Sequence, residues 1–110
     1  MNKDIDIQEF KHRLNRREKM NVIDVREEWE YEEYNIGTQL IPLNSIPHRL
    51  SEISDLKEKE IIVHCQSGNR SRQAKIYLTS KGFKNVRSLL GGLIALRENG
   101  SFQDEWSGAK

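Results

Sequence analysis

The run Ile61-Ile62-Val63-His64-Cys65-Gln66-Ser67-Gly68-Asn69-Arg70-Ser71-Arg72-Gln73-Ala74 constrains this chain more than any other stretch. Three β-branched residues lead into His64 and Cys65. A polar loop with one glycine follows, and then a helical pattern begins. The pattern predicts strand, tight loop, helix. In an open parallel sheet that junction falls at the carboxyl end of a strand, where such folds place their sites. The run also holds the only cysteine of the chain. The N–H groups of a short loop can converge on its sulfur, and the helix that follows adds the positive end of its dipole. Such a setting favours the thiolate over the thiol. A lone cysteine after an apolar strand is otherwise a small buried hydrophobe. The glycine, and the arginine five residues on, weigh toward a reactive thiol.

The rest of the chain reads as elements arranged around this junction. Asp6 is an N-cap with Glu9 three residues on, and Ile5 and Phe10 form a hydrophobic staple around a helix near 6–16. A short strand can precede it. Ile7, Phe10 and Leu14 share its apolar face. The basic run from Lys11 to Lys19 reads as a solvated helix face and turn. Residues 21–26 predict a buried strand, and residues 27–34 a short acidic helix with Trp29 and Tyr31. Leu40 to Leu43 reads as a short strand whose proline suits an end or an edge. Ser45 and Pro47 open a helix with Ile46, Leu50, Ile53 and Leu56 on one stripe. Ala74, Tyr77 and Leu78 face the core from the helix after the loop, which Gly82 ends. Residues 86–90 form the last strand. Gly91-Gly92 permits an unusual backbone turn beside the site, and Leu93, Ile94 and Leu96 begin a final helix.

Cys65-Gln66-Ser67-Gly68-Asn69-Arg70-Ser71 resembles the active-site loop of rhodanese (sulfurtransferase) domains, which often reads C-x-S-G-x-R-S. The resemblance extends to Ile23-Asp24-Val25-Arg26-Glu27 upstream, and to the run 81–86 and Leu90-Gly91-Gly92 downstream, in the family's order. It implies an α/β chain with a three-layer α/β/α rhodanese-like fold and a central, mostly parallel sheet of about five strands. It implies one domain over 1–110, with a core of about 5–99 and a C-terminal tail at 100–110 from which Phe102 and Trp106 could dock. It also implies a sulfurtransferase that moves sulfane sulfur from a donor such as thiosulfate to an acceptor such as cyanide or a thiol, through a persulfide on Cys65. Two departures stand out: Asn35 falls where the family usually has histidine, beside an apparent deletion, and Leu96 falls where many members have tryptophan.

Within this reading Cys65 is the catalytic residue, and Gln66, Ser67, Gly68, Asn69, Arg70 and Ser71 form the loop that binds substrate. Arg70 has two open roles: facing an anionic donor, or bracing the loop through its fork of donors. Arg72 and Lys75 are expected to add positive charge near the loop. Asp24 and Arg26 either line the site as supporting residues or hold the turn after their strand. His64 points to the opposite face from Cys65 and reads as a packed core histidine. With no second cysteine, sulfur bound to Cys65 has to leave to an external acceptor.

Two rivals stand beside this reading. One is a non-catalytic rhodanese-like sulfur carrier or regulatory module. The other is a cysteine phosphatase, whose C-x5-R loop is one residue longer than the segment from Cys65 to Arg70. The partners expected are small sulfur donors, thiol or cyanide acceptors, and a protein persulfide donor or acceptor. The net charge of +1, with 32% charged residues, argues against nucleic acid or a polybasic membrane anchor. The three histidines lack metal-ligand spacing, and the reading calls for neither metal nor cofactor. A single cysteine and no apolar leader or membrane-length run make the cytoplasm the expected location.

Overall fold

In the computed structural model, which describes residues 2–99, the Cys65 run forms the predicted junction: β3 (Glu60–His64), a loop, and α4 (Asn69–Ser80). Before it come α1 (Ile7–Asn15), β1 (Val22–Asp24), α2 (Glu28–Glu33), β2 (Gln39–Leu40) and α3 (Ile46–Arg49). After it come β4 (Asn85–Ser88) and α5 (Gly92–Glu98). The strands form a parallel sheet of four in the order β2-β1-β3-β4. The register aligns Asp24 with His64 and Val63 with Ser88, so three strands deliver their carboxyl ends to one edge. The expected fifth strand is reduced to a single parallel bridge between Ile5 and Leu89. The chain turns from Ile5 into the Asp6 cap of α1 at once, which leaves no length for a ladder.

Alternation along β3 divides the core into two layers. Ile61, Val63 and Cys65 pack with Ile46, Ile53, Ala74, Leu78 and Phe83 on one face of the sheet. Ile62 packs with Ile5, Phe10, Leu89, Leu93 and Leu96 on the other. Helices therefore cover both faces, as a parallel sheet requires.

Local chemistry accounts for most element ends. The Asp6 side chain accepts from the Glu9 N–H at 2.8 Å, and the staple residues Ile5 and Phe10 are fully buried. Glu27 and Glu30 make a reciprocal capping box at the start of α2. Two expectations need correction. Ser45 makes no side-chain cap, because the chain enters α3 from a 3-10 turn over Leu43–Ser45 and the Ser45 backbone is already helical. The helix predicted through Leu56 changes to 3-10 winding over Leu50–Leu56, while Ile46 and Ile53 stay buried as the apolar stripe requires. Within the basic run from Lys11 to Lys19, Arg13 of α1 bonds both Glu18 and Glu60. The tail read at 100–110, with Phe102 and Trp106, lies outside the described residues.

Candidate active site

The loop after β3 folds around the Cys65 sulfur. The N–H groups of Gly68 and Ser71 donate to Sγ at 3.1 and 3.3 Å. The thiol in turn faces the Ser71 hydroxyl at 3.7 Å, and that hydroxyl pairs with Ser88 Oγ at 2.6 Å. Gly68 makes the turn possible at φ +107, a region that side-chain-bearing residues rarely occupy. Cys65 therefore sits under the N-terminus of the twelve-residue α4, in a nest of donors that stabilises negative charge on sulfur. It is only 1% exposed.

A second helix holds the outer side of the loop. The N–H groups of Leu93 and Ile94, at the start of α5, donate to the carbonyl oxygens of Cys65 and Gln66 at 2.9 and 3.0 Å. Those carbonyls are thereby drawn away from the sulfur. Gly92 lets this contact form: a Cβ there would lie 2.6 Å from Cys65 O and from Gln66 C and O. The unusual turn expected at Gly91-Gly92 is present, with φ +80 and +61.

Arg70, whose role the sequence leaves open, braces the loop. Its guanidinium forms a fork with the Glu30 carboxylate, with N–O distances of 2.6 and 2.9 Å. The bonds from Arg70 hold the Glu30 carboxyl down to about 2, against the opposing effect of burial. Glu30 is also the capping-box residue of α2 and accepts from the Glu27 N–H at 2.9 Å. One side chain thus fixes both a helix start and the loop.

Asp24 and Arg26 support this brace from below. They form a buried ion pair, with Arg26 Nη2 at 2.8 Å from Asp24 Oδ2. Arg26 also donates to the carbonyls of Tyr34 at 2.7 Å and Glu30 at 3.4 Å. Its charge is therefore spent on Asp24 while its remaining donors hold α2, which presents Glu30 to Arg70.

The other predicted residues divide. Gln66 is half-buried and lines a pocket beside the loop, whereas Ser67 and Asn69 are exposed. Lys75 turns away from the loop and bonds Asp4 at 2.6 Å and the Asn2 carbonyl. The positive charge expected of it at the loop is neutralised elsewhere. His64 is fully buried, and its Nε2 meets Thr38 Oγ1 at 2.9 Å while Nδ1 has no partner among the described residues. Desolvation pushes its pKa down to about 4, so the ring is neutral at ordinary pH. Leu96 lies fully buried in the core layer of α1 and α5 and forms no wall at the sulfur. Asn35 closes a local turn, bonding the Tyr31 carbonyl and the Gly37 N–H.

Sequence reasoning missed Glu30, Ser88 and Thr38. Only Glu30 left a signal, the acid three residues after Glu27, and that signal points to a helix cap rather than to the loop. A cavity of about 680 Å³, lined in part by Phe10 and Leu14 of α1, includes no residue of the 65–71 loop. Another, about 280 Å³, borders Gln66.

The rhodanese-like domain profile matches residues 6–99. The chain is 36% identical over 98 residues to a sulfurtransferase of Allochromatium vinosum, covering 88% of this chain and 90% of that protein. It is 35% identical over 91 residues to a Bacillus subtilis protein named as a proposed sulfur carrier, covering 82% of this chain and 48% of that one. The chain thus spans about half the length of that second relative. Among solved structures, a rhodanese-like domain protein of Staphylococcus aureus matches with a TM-score of 0.78 at 28% identity, covering 87% of this chain and 91% of that one.

Proposed function

The chain belongs to the rhodanese-like domain family, and from that premise we propose that it is a sulfurtransferase carrying sulfane sulfur on Cys65. The observation that carries the reading is the pair of N–H groups, from Gly68 and Ser71, aimed at Sγ. In the first half-reaction the Cys65 thiolate attacks the outer sulfur of a donor such as thiosulfate. The donor's S–S bond breaks, sulfite leaves with the bonding pair, and Cys65 becomes a persulfide. In the second, a nucleophile such as cyanide or a thiolate attacks the terminal sulfur, and the Cys65 thiolate leaves. The donors that stabilise the thiolate lower the cost of both the attacking and the leaving state. With Cys65 only 1% exposed, each attack waits on a shift of the loop.

Thiosulfate:cyanide sulfur transfer in wild type and in Cys65→Ser tests this reading. Loss of transfer in the variant, with a gain of one sulfur in the intact mass of donor-treated wild type, supports it. Equal rates in the two proteins would sink it. The sulfur-carrier reading is favoured by the same deep burial and by the lack of a second thiol. It predicts that loaded sulfur persists after the donor is removed and leaves only to an added thiol. Rapid loss without an acceptor counts against it. The phosphatase rival is disfavoured because Arg70 points to Glu30 rather than into an oxyanion cradle. Aryl phosphate hydrolysis that vanishes in Cys65→Ser would reverse that judgement.

A further inference from the structure

The cations around the loop are unequally engaged. Arg26 is spent on Asp24, Arg70 on Glu30, and Lys75 on Asp4. Arg97, in the last turn of α5, bonds no carboxylate among the described residues. Its guanidinium lies over the ring of Tyr34, 4.1 Å from the centroid. A guanidinium held over a ring by cation–π attraction keeps N–H donors at its edge for a planar anion.

Arg97 lines the 280 Å³ pocket together with Trp29, Tyr34, Gln66, Arg26, Glu30 and Glu33. Trp29 is 62% exposed, so its ring is available as an apolar wall of the pocket. Gln66 follows Cys65 directly, and its side-chain amide bonds no described residue. The pocket therefore offers an apolar wall, an amide and an open cationic fork, one residue from the nucleophile. Glu33, which also faces it without an ion-pair partner among the described residues, repels a dianion more than a monoanion.

We propose that the pocket of Trp29, Tyr34, Gln66 and Arg97 is the acceptor subsite of the Cys65 loop, and that it takes the carboxylate of a small monocarboxylate thiol. This rests on the sulfurtransferase reading of Cys65. Arg97 grips the carboxylate, and Trp29 covers the short carbon chain. The thiolate passes Gln66 to attack the terminal sulfur of the persulfide. The bond between that sulfur and Sγ breaks, Cys65 leaves as thiolate, and the acceptor departs as its own persulfide. Two-electron bookkeeping closes without an added oxidant or reductant.

The test compares 3-mercaptopropionate with 2-mercaptoethanol, which differ in charge. On sulfur-loaded protein, Arg97→Gln should lower the ratio of kcat/KM for the carboxylate thiol over the neutral thiol by about tenfold, as loss of a partly exposed charge-assisted hydrogen bond implies. The loss should appear in KM, with kcat for 3-mercaptopropionate held within about twofold. A ratio unchanged by Arg97→Gln overturns the proposal. Binding is read separately by NMR on Cys65→Ser, where no sulfur can be transferred. There the Trp29 indole N–H, assigned with Trp29→Phe, should shift with 3-mercaptopropionate and not with 2-mercaptoethanol. Equal shifts with both thiols also overturn the proposal. Carboxylate-dependent binding in Cys65→Ser, alongside a wild type that transfers no sulfur from any donor, keeps the anion pocket and removes the sulfurtransferase reading instead.

Discussion

Gly92→Ala should be among the most damaging single-methyl changes in this chain. At φ +61 the backbone is left-handed, where an L-residue pays roughly 1–2 kcal/mol, partly offset by about 0.4–1 kcal/mol from a stiffer unfolded chain. The larger cost is steric. The new Cβ would stand 2.6 Å from Cys65 O and from Gln66 C and O, all backbone atoms that cannot rotate away. The two peptides from Cys65 to Ser67 have to move off α5. They then lose the bonds from Leu93 and Ile94 at 2.9 and 3.0 Å. At about 1 kcal/mol for each bond, the total destabilisation is about 3 kcal/mol. With a urea m-value of about 1.5 kcal/mol/M, the midpoint falls by about 2 M. Gly82→Ala is the control. Its φ is +95, farther from the left-handed minimum, and a Cβ there meets nothing within 4 Å. Backbone strain alone therefore ranks Gly82→Ala as the worse change, whereas the clash ranks Gly92→Ala as worse by about 2 kcal/mol. Urea melts of both variants decide between them. A Gly92→Ala protein no less stable than Gly82→Ala would refute the argument that α5 clamps the loop through this contact.

Three further outcomes follow from the same geometry. Arg26→Ala leaves the Asp24 carboxylate buried without its partner, and should cost about 3–5 kcal/mol in denaturant melts, more than loss of any exposed pair. Arg70→Ala should slow sulfur transfer from thiosulfate and from a neutral persulfide donor by similar factors, because Arg70 braces Glu30; a selective loss with thiosulfate would return it to donor binding. His64 has a folded pKa of about 4, below its unfolded value near 6.5, so the unfolded chain takes up the proton first. Its share of stability is full above about pH 6.5 and is lost as pH falls toward 4. His64→Gln should flatten that part of the stability–pH curve, and an NMR titration midpoint near 6.5 for His64 would contradict its burial.

The strand, loop and helix around Cys65 were legible in the sequence because each is encoded locally. Three β-branched residues extend the backbone, Gly68 permits the left-handed turn, and Ala74 and Leu78 repeat at helical spacing. The same local logic yielded the Asp6 cap and the Ile5 and Phe10 staple. Family motifs added the parallel sheet and the role expected of the cysteine. The destination of each long polar side chain was not legible. Arg70 meets Glu30 from 40 residues away, and Lys75 meets Asp4 from 71. Arg and Lys reach many neighbours, and only the packing of α2 against the loop, or of the N-terminal segment against α4, decides which carboxylate is near. The fate of the Cys65 and Gln66 carbonyls was hidden for a related reason. Their donors lie at the start of α5, and whether two N–H groups come within 3 Å of a loop depends on how closely two backbones approach, which Gly92 permits but does not by itself announce. Local sequence thus determined which atoms could be reactive, and tertiary contact decided which charges remained free to meet a substrate.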